Sequence, residues 1–420
     1  MLRDVANWIE GLLGLDPATF AYSWITSVVV IGVMALVAFV FIAFFAGPVT
    51  WWERRLAGRI QSRIGPNRVG PQGVLQWLAD GIKCFLKEDL IPAEADKGLY
   101  MFAPYLVFGG YMATFAVLPF GANLIAADLD VGLLYLLAIT GLVVIGSLMA
   151  GWSSNNKWAL FGGIRSAAQL VSYEIPSAFS LMSVVLIAGT MSMQGIIRQQ
   201  GPWPWDWFVF RNPFLFLAFF LSLTSSIAEG NRTPFDLPEG ESELVAGYHV
   251  EYSGMRFLWF MFAEWGNLWV IASIATVCFL GGWQIPGMSP AEIAASTGLA
   301  FWGWQALTLG VFVAKASVLV AFVIQVRWTL PRLRVDQLMI TCWKYLVPGA
   351  LFCLAGVLVL LAVVPENGVA DWALRGVSLA AGLAIAVAYV WKTRAAYMAD
   401  RDLYRRMEGK ELWYPPFRLP

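Results

Sequence analysis

Long apolar runs alternate with short polar ones along nearly the whole chain. The runs fall at 22–47, 99–121, 131–151, 166–192, 213–229, 255–283, 303–327, 345–364 and 372–391, each about as long as a bilayer-crossing helix, roughly 17–25 residues. Hydrocarbon offers no water to satisfy backbone N–H and C=O groups, so such runs must be helical. The pattern predicts an all-α polytopic membrane protein, about nine transmembrane helices in a single membrane domain over 1–420. One segment departs from it. Residues 72–88, QGVLQWLADGIKCFLKE, are too short and too charged to cross. Val74, Leu75, Leu78, Ile82 and Phe85 share one helical face, and Gln72, Gln76, Asp80, Lys83 and Lys87 the other. This is an amphipathic surface helix. It either lies on lipid as an anchor or frames an opening for a lipid-soluble ligand.

Composition agrees: 59% of residues are hydrophobic and 13% charged, against about a quarter charged in soluble domains. The formal net charge of zero hides an asymmetry that sets orientation. With nine spans, 23 Lys and Arg residues fall on one side and four (Arg3, Arg198, Arg211, Arg375) on the other, with Lys315 inside a span. Basic residues collect on the cytoplasmic side, so the amino terminus is expected outside, and the carboxyl terminus and the amphipathic helix inside. Asp4, Glu10 and Asp16 precede the first apolar run and make a poor signal peptide, so that span is expected to be retained. No internal repeat of the kind found in inverted-repeat transporters is evident.

Little in the chain suggests metal or nucleotide chemistry. Cys84, Cys278, Cys342, Cys353 and the single histidine, His249, form no pair or cluster with iron–sulfur or zinc spacing. Gly65-Pro-Asn-Arg-Val-Gly70-Pro71 mimics phosphate-loop spacing, but Pro71 replaces the lysine and no strand precedes it. The basic run WERRLAGRIQSRIGPNR is either positive-inside charge or a docking surface for an acidic partner or lipid headgroups.

The unusual chemistry lies in residues 227–254, IAEGNRTPFDLPEGESELVAGYHVEYSG. Glu229, Asp236, Glu239, Glu241, Glu243 and Glu251 give six carboxylates against one base, Arg232. Like charges and burial raise one another's pKa, so these acids suit a proton relay or a sensor of a nearby negative species, coupled as a set. A plain solvated loop is the alternative, although Phe235, Leu237, Leu244, Val245 and Tyr248 interleave with the acids. Glu174 sits inside the fourth span two residues before Pro176, where an intramembrane acid is either functional or a neutral structural group. Pro176 cannot donate to the carbonyl of Ser172. Lys315 lies about 18 Å along its helix from Arg327, with Glu264 as its expected partner.

Together these segments resemble one family: the H membrane subunit of respiratory complex I, called subunit 1 in mitochondria. The motifs that carry the resemblance are ERRLAGRIQSRIGPNRVGPQG (53–73), KCFLKEDLIP (83–92), VSYEIP (171–176), the 227–254 stretch, FAEW (262–265) and RWTLPRLRVDQLMITCWKYLVP (327–348). The resemblance implies a subunit of a proton-translocating NADH:quinone oxidoreductase with no complete active site of its own. It implies that the chain binds no redox cofactor, that quinone is the substrate, and that flavin and iron–sulfur clusters sit on partner subunits. The implied partners are the peripheral quinone-site subunits, small membrane subunits, quinone and membrane lipid, with no nucleic acid. The implied location is a bacterial inner membrane rather than an organelle. By motif position, Arg54, Arg63, Asp80, Arg232, Phe235 and Asp236 would line a quinone tunnel. Glu174, Glu229, Glu239, Glu241 and Glu243 would form an acidic pathway, with Glu264 and Lys315 grouped beside them. Residues 22–365 would be the family core of eight helices, and 366–420 an extra helix and cytoplasmic tail beyond the usual pattern. Gly230 stands where many relatives carry threonine.

Overall fold

The computed structural model describes residues 20–287, 299–364 and 368–407. Every regular element among them is helical. In chain order they are α1 (Phe20–Ile60), α2 (Gln76–Leu86), α3 (Lys97–Thr114), α4 (Gly132–Ser153), α5 (Lys157–Ala188), α6 (Met193–Arg198), α7 (Phe208–Arg211), α8 (Pro213–Glu229), α9 (Glu241–Leu244), α10 (Gly254–Phe279), α11 (Leu299–Thr329), α12 (Val335–Ile340), α13 (Val347–Val363) and α14 (Val369–Met407). A π-helical turn, Thr341–Leu346, joins α12 to α13. Seven described stretches are long and apolar enough to cross a membrane, in α1, α4, α5, α10, α11, α12–α13 and α14. The other two predicted runs are the 18-residue α3 and the 17-residue α8. The chain is thus an all-helical polytopic membrane protein. The predicted acids at residues 4, 10 and 16 lie outside the described residues.

Several boundaries differ from the sequence pattern. Helix α1 continues through WWERRLAGRI to Ile60, α5 begins at Lys157, and α14 runs on to Met407. Apolarity marks what a bilayer can hold, whereas helical hydrogen bonding continues until a cap or turn stops it. Helix α5 shows both stops: the Asn156 side chain accepts from the Trp158 N–H, and Gly189 closes the helix at φ 66°. The surface helix begins at Gln76 rather than 72, because Gly70, Gln72 and Gly73 all have positive φ.

Helix α10 is the central post, packing against α1, α2, α3, α8 and α11. Helix α5 packs against α4, α8 and α13, while α14 leans on α7 and α8. Apolar side chains such as Val37, Phe44, Phe352, Val359, Leu383 and Val387 point outward, as lipid-facing helices require.

Two intrahelical prolines shape the inner packing. Pro104 in α3 and Pro176 in α5 each leave a carbonyl four residues back without its helical donor. The Tyr252 hydroxyl donates to the freed Tyr100 carbonyl at 3.1 Å. The Cys342 thiol donates to the freed Ser172 carbonyl at 3.1 Å. The first bond ties the polar stretch after α9 to α3, and the second ties the π turn to α5. Tyr100 answers by donating to the Glu251 carbonyl at 2.8 Å, with its ring stacked on Tyr252 at 4.1 Å.

The 230–253 stretch therefore folds into the protein. Gln169 donates to the carbonyls of Ala228 and Phe235 at 2.8 and 2.7 Å, and Leu333 N–H to that of Pro234 at 3.0 Å. Gly247, at φ 61°, is required: a Cβ there would sit 1.7 Å from the Pro238 oxygen. Gly247→Ala should thus lower the thermal midpoint of the detergent-purified protein, since left-handed strain alone costs roughly 1–2 kcal/mol. Gly109→Ala, with open space at its Cβ, should not. Equal midpoints for the two variants would contradict this packing.

Candidate functional site

Three features cluster around one end of α10. The first is a cavity of about 510 Å³ between α1, α2 and α10. Its walls are mostly apolar, from Ala43, Ala46, Trp77, Leu78, Ile82, Phe85, Met261 and Trp265, with Arg54 and Asp80 as a polar pair. That pair closes at 2.6 Å. Gly47 lets the Trp77 ring lie on α1, since a Cβ there would meet the ring at 2.4 Å. Leu78, Ile82 and Phe85 are also exposed, so the apolar face of α2 both lines this cavity and is presented outward, as a helix lying on lipid or one framing an opening would have it.

Behind the Trp265 wall lies a buried ion cluster. Arg232 is 2% exposed. Its guanidinium lies over the Trp265 ring at 4.4 Å, 3.1 Å from Glu264 and 3.5 Å from Glu53. The second Glu53 oxygen accepts from Arg327 at 2.7 Å. Asp236 pairs with Arg332 at 3.1 Å. Glu239 is coupled electrostatically to Glu264, Asp236, Arg232 and Arg327. The cluster therefore sets four carboxylates (Glu53, Asp236, Glu239, Glu264) against three guanidiniums. Burial pushes Asp236 up to about 6, with Arg332 pulling it back and Glu264 adding to the rise. Burial, with Glu264 and Asp236 beside it, pushes Glu239 well above the usual carboxylate range. The surplus carboxylate is a place for a proton near neutral pH. Burial also drops the neighbouring His249 to about 4, so its imidazole is neutral there.

The third feature is a small cavity of about 20 Å³ lined by Tyr111, Thr140, Val144, Leu170, Glu174, Glu229 and Asn267. That is room for about one water. Glu174 and Glu229 face each other across it, with Ser177 beside the Glu229 carboxylate. Asn267 donates to the Glu229 carbonyl at 3.4 Å and lies beside Tyr111 in the lining of this cavity.

Not every predicted residue joins these features. Arg63 is exposed, and its side chain hydrogen-bonds only Gln61, at 2.6 Å, among the described residues. Phe235 is buried beneath Tyr173, ring centroids 5.6 Å apart. Glu243 makes a surface ion pair with Arg165 at 2.6 Å. The Glu241 side chain lies outside the described residues. The expected Lys315–Glu264 pair does not form. Glu264 is taken by Arg232, and Lys315 bonds backbone carbonyls beyond the far end of α10, because about 16 residues of helix, roughly 24 Å, separate Glu264 from Leu280.

A family model described as NADH dehydrogenase matches residues 32–359. The H subunit of the NADH-quinone oxidoreductase of Anaeromyxobacter dehalogenans is 52% identical over 409 residues, 95% of this chain and 96% of that one. The corresponding H subunits of Chlorobaculum tepidum and Geobacillus kaustophilus are each 45% identical, covering 82% of this chain and 94% and 95% of theirs. The chain belongs to the H-subunit family of NADH-quinone oxidoreductases. The family match spans the cavity, the cluster and the small pocket, and stops before α14.

Within this member of the H-subunit family, the sequence concealed several site residues. Glu53 is the lone acid at the head of a basic run. Arg327 and Arg332 read as topology charges, Trp265 appears only as the last residue of the FAEW motif, and Gln169 lies inconspicuously inside an apolar run. A single carboxylate ending an apolar span among arginines was the available signal for Glu53. Glu53→Gln strips two guanidiniums of their shared carboxylate, a loss of about 3–5 kcal/mol for a broken buried pair. The purified assembly should melt markedly earlier. Arg54→Ala removes an exposed ion pair worth up to about 1 kcal/mol and should shift the midpoint little. The reverse order would refute the buried cluster.

Proposed function

We propose that this chain provides the quinone passage and the proton-coupling element of a proton-translocating NADH:quinone oxidoreductase, joining its peripheral redox arm to its membrane arm. The observation that carries this reading is the spacing of three α10 residues. Trp265 walls the apolar cavity and carries Arg232 on its face. Glu264 belongs to the ion cluster, and Asn267 lines the Glu174–Glu229 pocket. One turn of helix thus touches all three features.

A long-chain quinone has an apolar tail and a polar head. A cavity with apolar walls and one ion pair, open along a surface helix, suits such an amphiphile. In this reading Arg54 and Asp80 border the passage, while Arg232, Phe235 and Asp236 form its inner wall behind Trp265. Arg63 would act only through a docked neighbour. Quinone reduction takes up two electrons and two protons; between the arrival of the electrons and that of the protons the headgroup carries negative charge, and the quinol that results is neutral again. Asp236 and Glu239 are poised to change protonation in response. Tyr111, Asn267 and a water in the small pocket would pass the effect to Glu229 and Glu174. Glu243, paired with Arg165 at the surface, would serve as supply rather than relay, and Glu241 is proposed as a member of the acidic pathway by its place in the sequence alone. Electrons stay on partner subunits, which carry the flavin and iron–sulfur clusters.

The same reading sets nine spans in a bacterial inner membrane, amino terminus outside and carboxyl terminus inside, with α3 and α8 as the two short crossings. Residues 22–365 form the eight-helix core of one membrane domain, and 366–420 add α14 and its tail. That arrangement lays α2 and the ion cluster on the cytoplasmic side, where the peripheral arm would dock.

Two variants test the two halves. Glu239→Gln should lower NADH:quinone turnover roughly tenfold or more, within the range for a lost proton-transfer group, while NADH oxidation by ferricyanide persists. Full quinone turnover and pumping in that variant would sink the coupling role. Ala43→Trp, which fills the cavity, should raise the apparent KM for a long-chain quinone, and an unchanged KM would remove the cavity from the quinone route.

A further inference from the structure

Lys315 is the described base least explained so far. It lies partly buried on α11, beside the carboxyl-terminal end of α10. Its ammonium donates to the carbonyls of Leu280, Gly282 and Gln284 at 2.9, 3.0 and 3.4 Å. It also sits 4.2 Å from the centroid of the Trp207 ring. No carboxylate is within ion-pair distance among the described residues. Three acceptor oxygens match the three N–H donors of an ammonium, whereas a neutral amine has two donors and would turn its lone pair on a carbonyl. The aromatic face and the negative end of the α10 dipole favour the charged form as well.

The surroundings are built to hold that charge. Gly281 and Gly282, at φ 71° and 51°, turn the chain so that its carbonyls face Lys315. A Cβ on Gly281 would lie 2.6 Å from the Trp207 indole nitrogen. Gln200 clamps the same turn, accepting from Gly281 N–H at 2.9 Å and donating to the Val277 carbonyl at 2.8 Å. Between this end and the carboxylates lies an aromatic layer. Phe45 meets Trp269 at 4.3 Å, Phe41 meets Trp269 and Phe120 at 5.3 and 5.4 Å, and Phe120 meets Phe312 at 5.7 Å. Phe312 is three residues, about one turn, before Lys315.

We propose that Lys315 and this aromatic layer form an insulating plug. The fixed ammonium at the far end of α10 repels cations, and the aromatic layer excludes water. Protons gathered by the loop carboxylates are thereby kept from crossing straight through this chain. Fixed positive charge and hydrophobic constriction are both established ways to block cation and proton passage. Lys315 is then a barrier residue and not a member of the relay. The inference rests on the reading that the assembly works against a proton gradient.

The test uses the whole enzyme in liposomes, without NADH, under a potassium–valinomycin diffusion potential. Lys315→Met should raise passive proton uptake several-fold, and Lys315→Arg should stay near wild type. With NADH and quinone added, Lys315→Met should reach a lower pH gradient at an undiminished NADH:quinone rate. An assembled Lys315→Met enzyme with wild-type leak would overturn the proposal. An equal leak in Lys315→Arg would assign the effect to packing and overturn it too. If Lys315→Met does not assemble, Trp207→Leu should give a smaller leak of the same sign, and a tight Trp207→Leu enzyme counts against the plug. Wild-type liposomes that build no quinone-linked gradient would refute the coupling function itself, and the leak comparison would remain readable.

Discussion

The structure turns on the burial of one guanidinium. Taking Arg232 almost wholly out of water costs several kcal/mol, and only close, well-made ion pairs offset that. Arg232 sets against that cost Glu53 toward the carboxyl-terminal end of α1 at 3.5 Å, Glu264 on α10 at 3.1 Å and the face of Trp265, while its Nε and Nη2 lack a hydrogen bond of good geometry among the described residues. Glu53 in turn binds Arg327 at the end of α11. The loop that carries Arg232 is thereby fixed to α1 and α10, two walls of the large cavity. The Trp265 ring and the Arg232 guanidinium thus stand between that cavity and the loop.

The cluster is also unbalanced, and the imbalance has chemical content. Three guanidiniums cannot neutralise four carboxylates, and a low-dielectric site tolerates a surplus charge poorly. The surplus falls on Asp236 and Glu239, the two acids that burial pushes up. Because the acids interact, the proton belongs to the set rather than to one residue. A proton shared in this way can be given up or taken when the field of a neighbouring ligand changes, at modest cost.

Much of this was legible in the sequence, and what was not has identifiable causes. The nine apolar runs are all helices, and the amphipathic face of α2 was readable from Leu78, Ile82 and Phe85. Helix ends were misplaced wherever charged residues continued a helix past its apolar part, as at Glu53 to Ile60. The acids of the 227–254 stretch stood out because they were dense. Their counter-charges did not, since Arg327 and Arg332 come from about ninety residues away and look like ordinary positive-inside charge. Pro176 correctly flagged a freed carbonyl at Ser172, yet its donor, the Cys342 thiol, could only be found in three dimensions. Lys315 was misassigned to Glu264 because both lie in spans, and depth along α10 cannot be read from separate segments.

Helix α10 also gives the arrangement a direction. At one end, Glu264, Trp265 and Asn267 touch the cavity, the cluster and the small pocket. At the other, the carbonyls of Leu280 and Gly282 hold a positive charge. Between them Trp269 is closed in by Phe41, Phe45 and Phe312. A proton released into the cluster meets aromatic rings and an ammonium along the axis of α10. Sideways, toward α4, α5 and α8, it meets Tyr111, Thr140, Glu229 and Glu174 around a space the size of a water. Hydrogen-bonding groups and carboxylates lower the cost of a passing charge, and apolar rings raise it. Under the proposed function, that contrast makes the α4–α5–α8 side the less costly course for a proton, and the axis of α10 the more costly one.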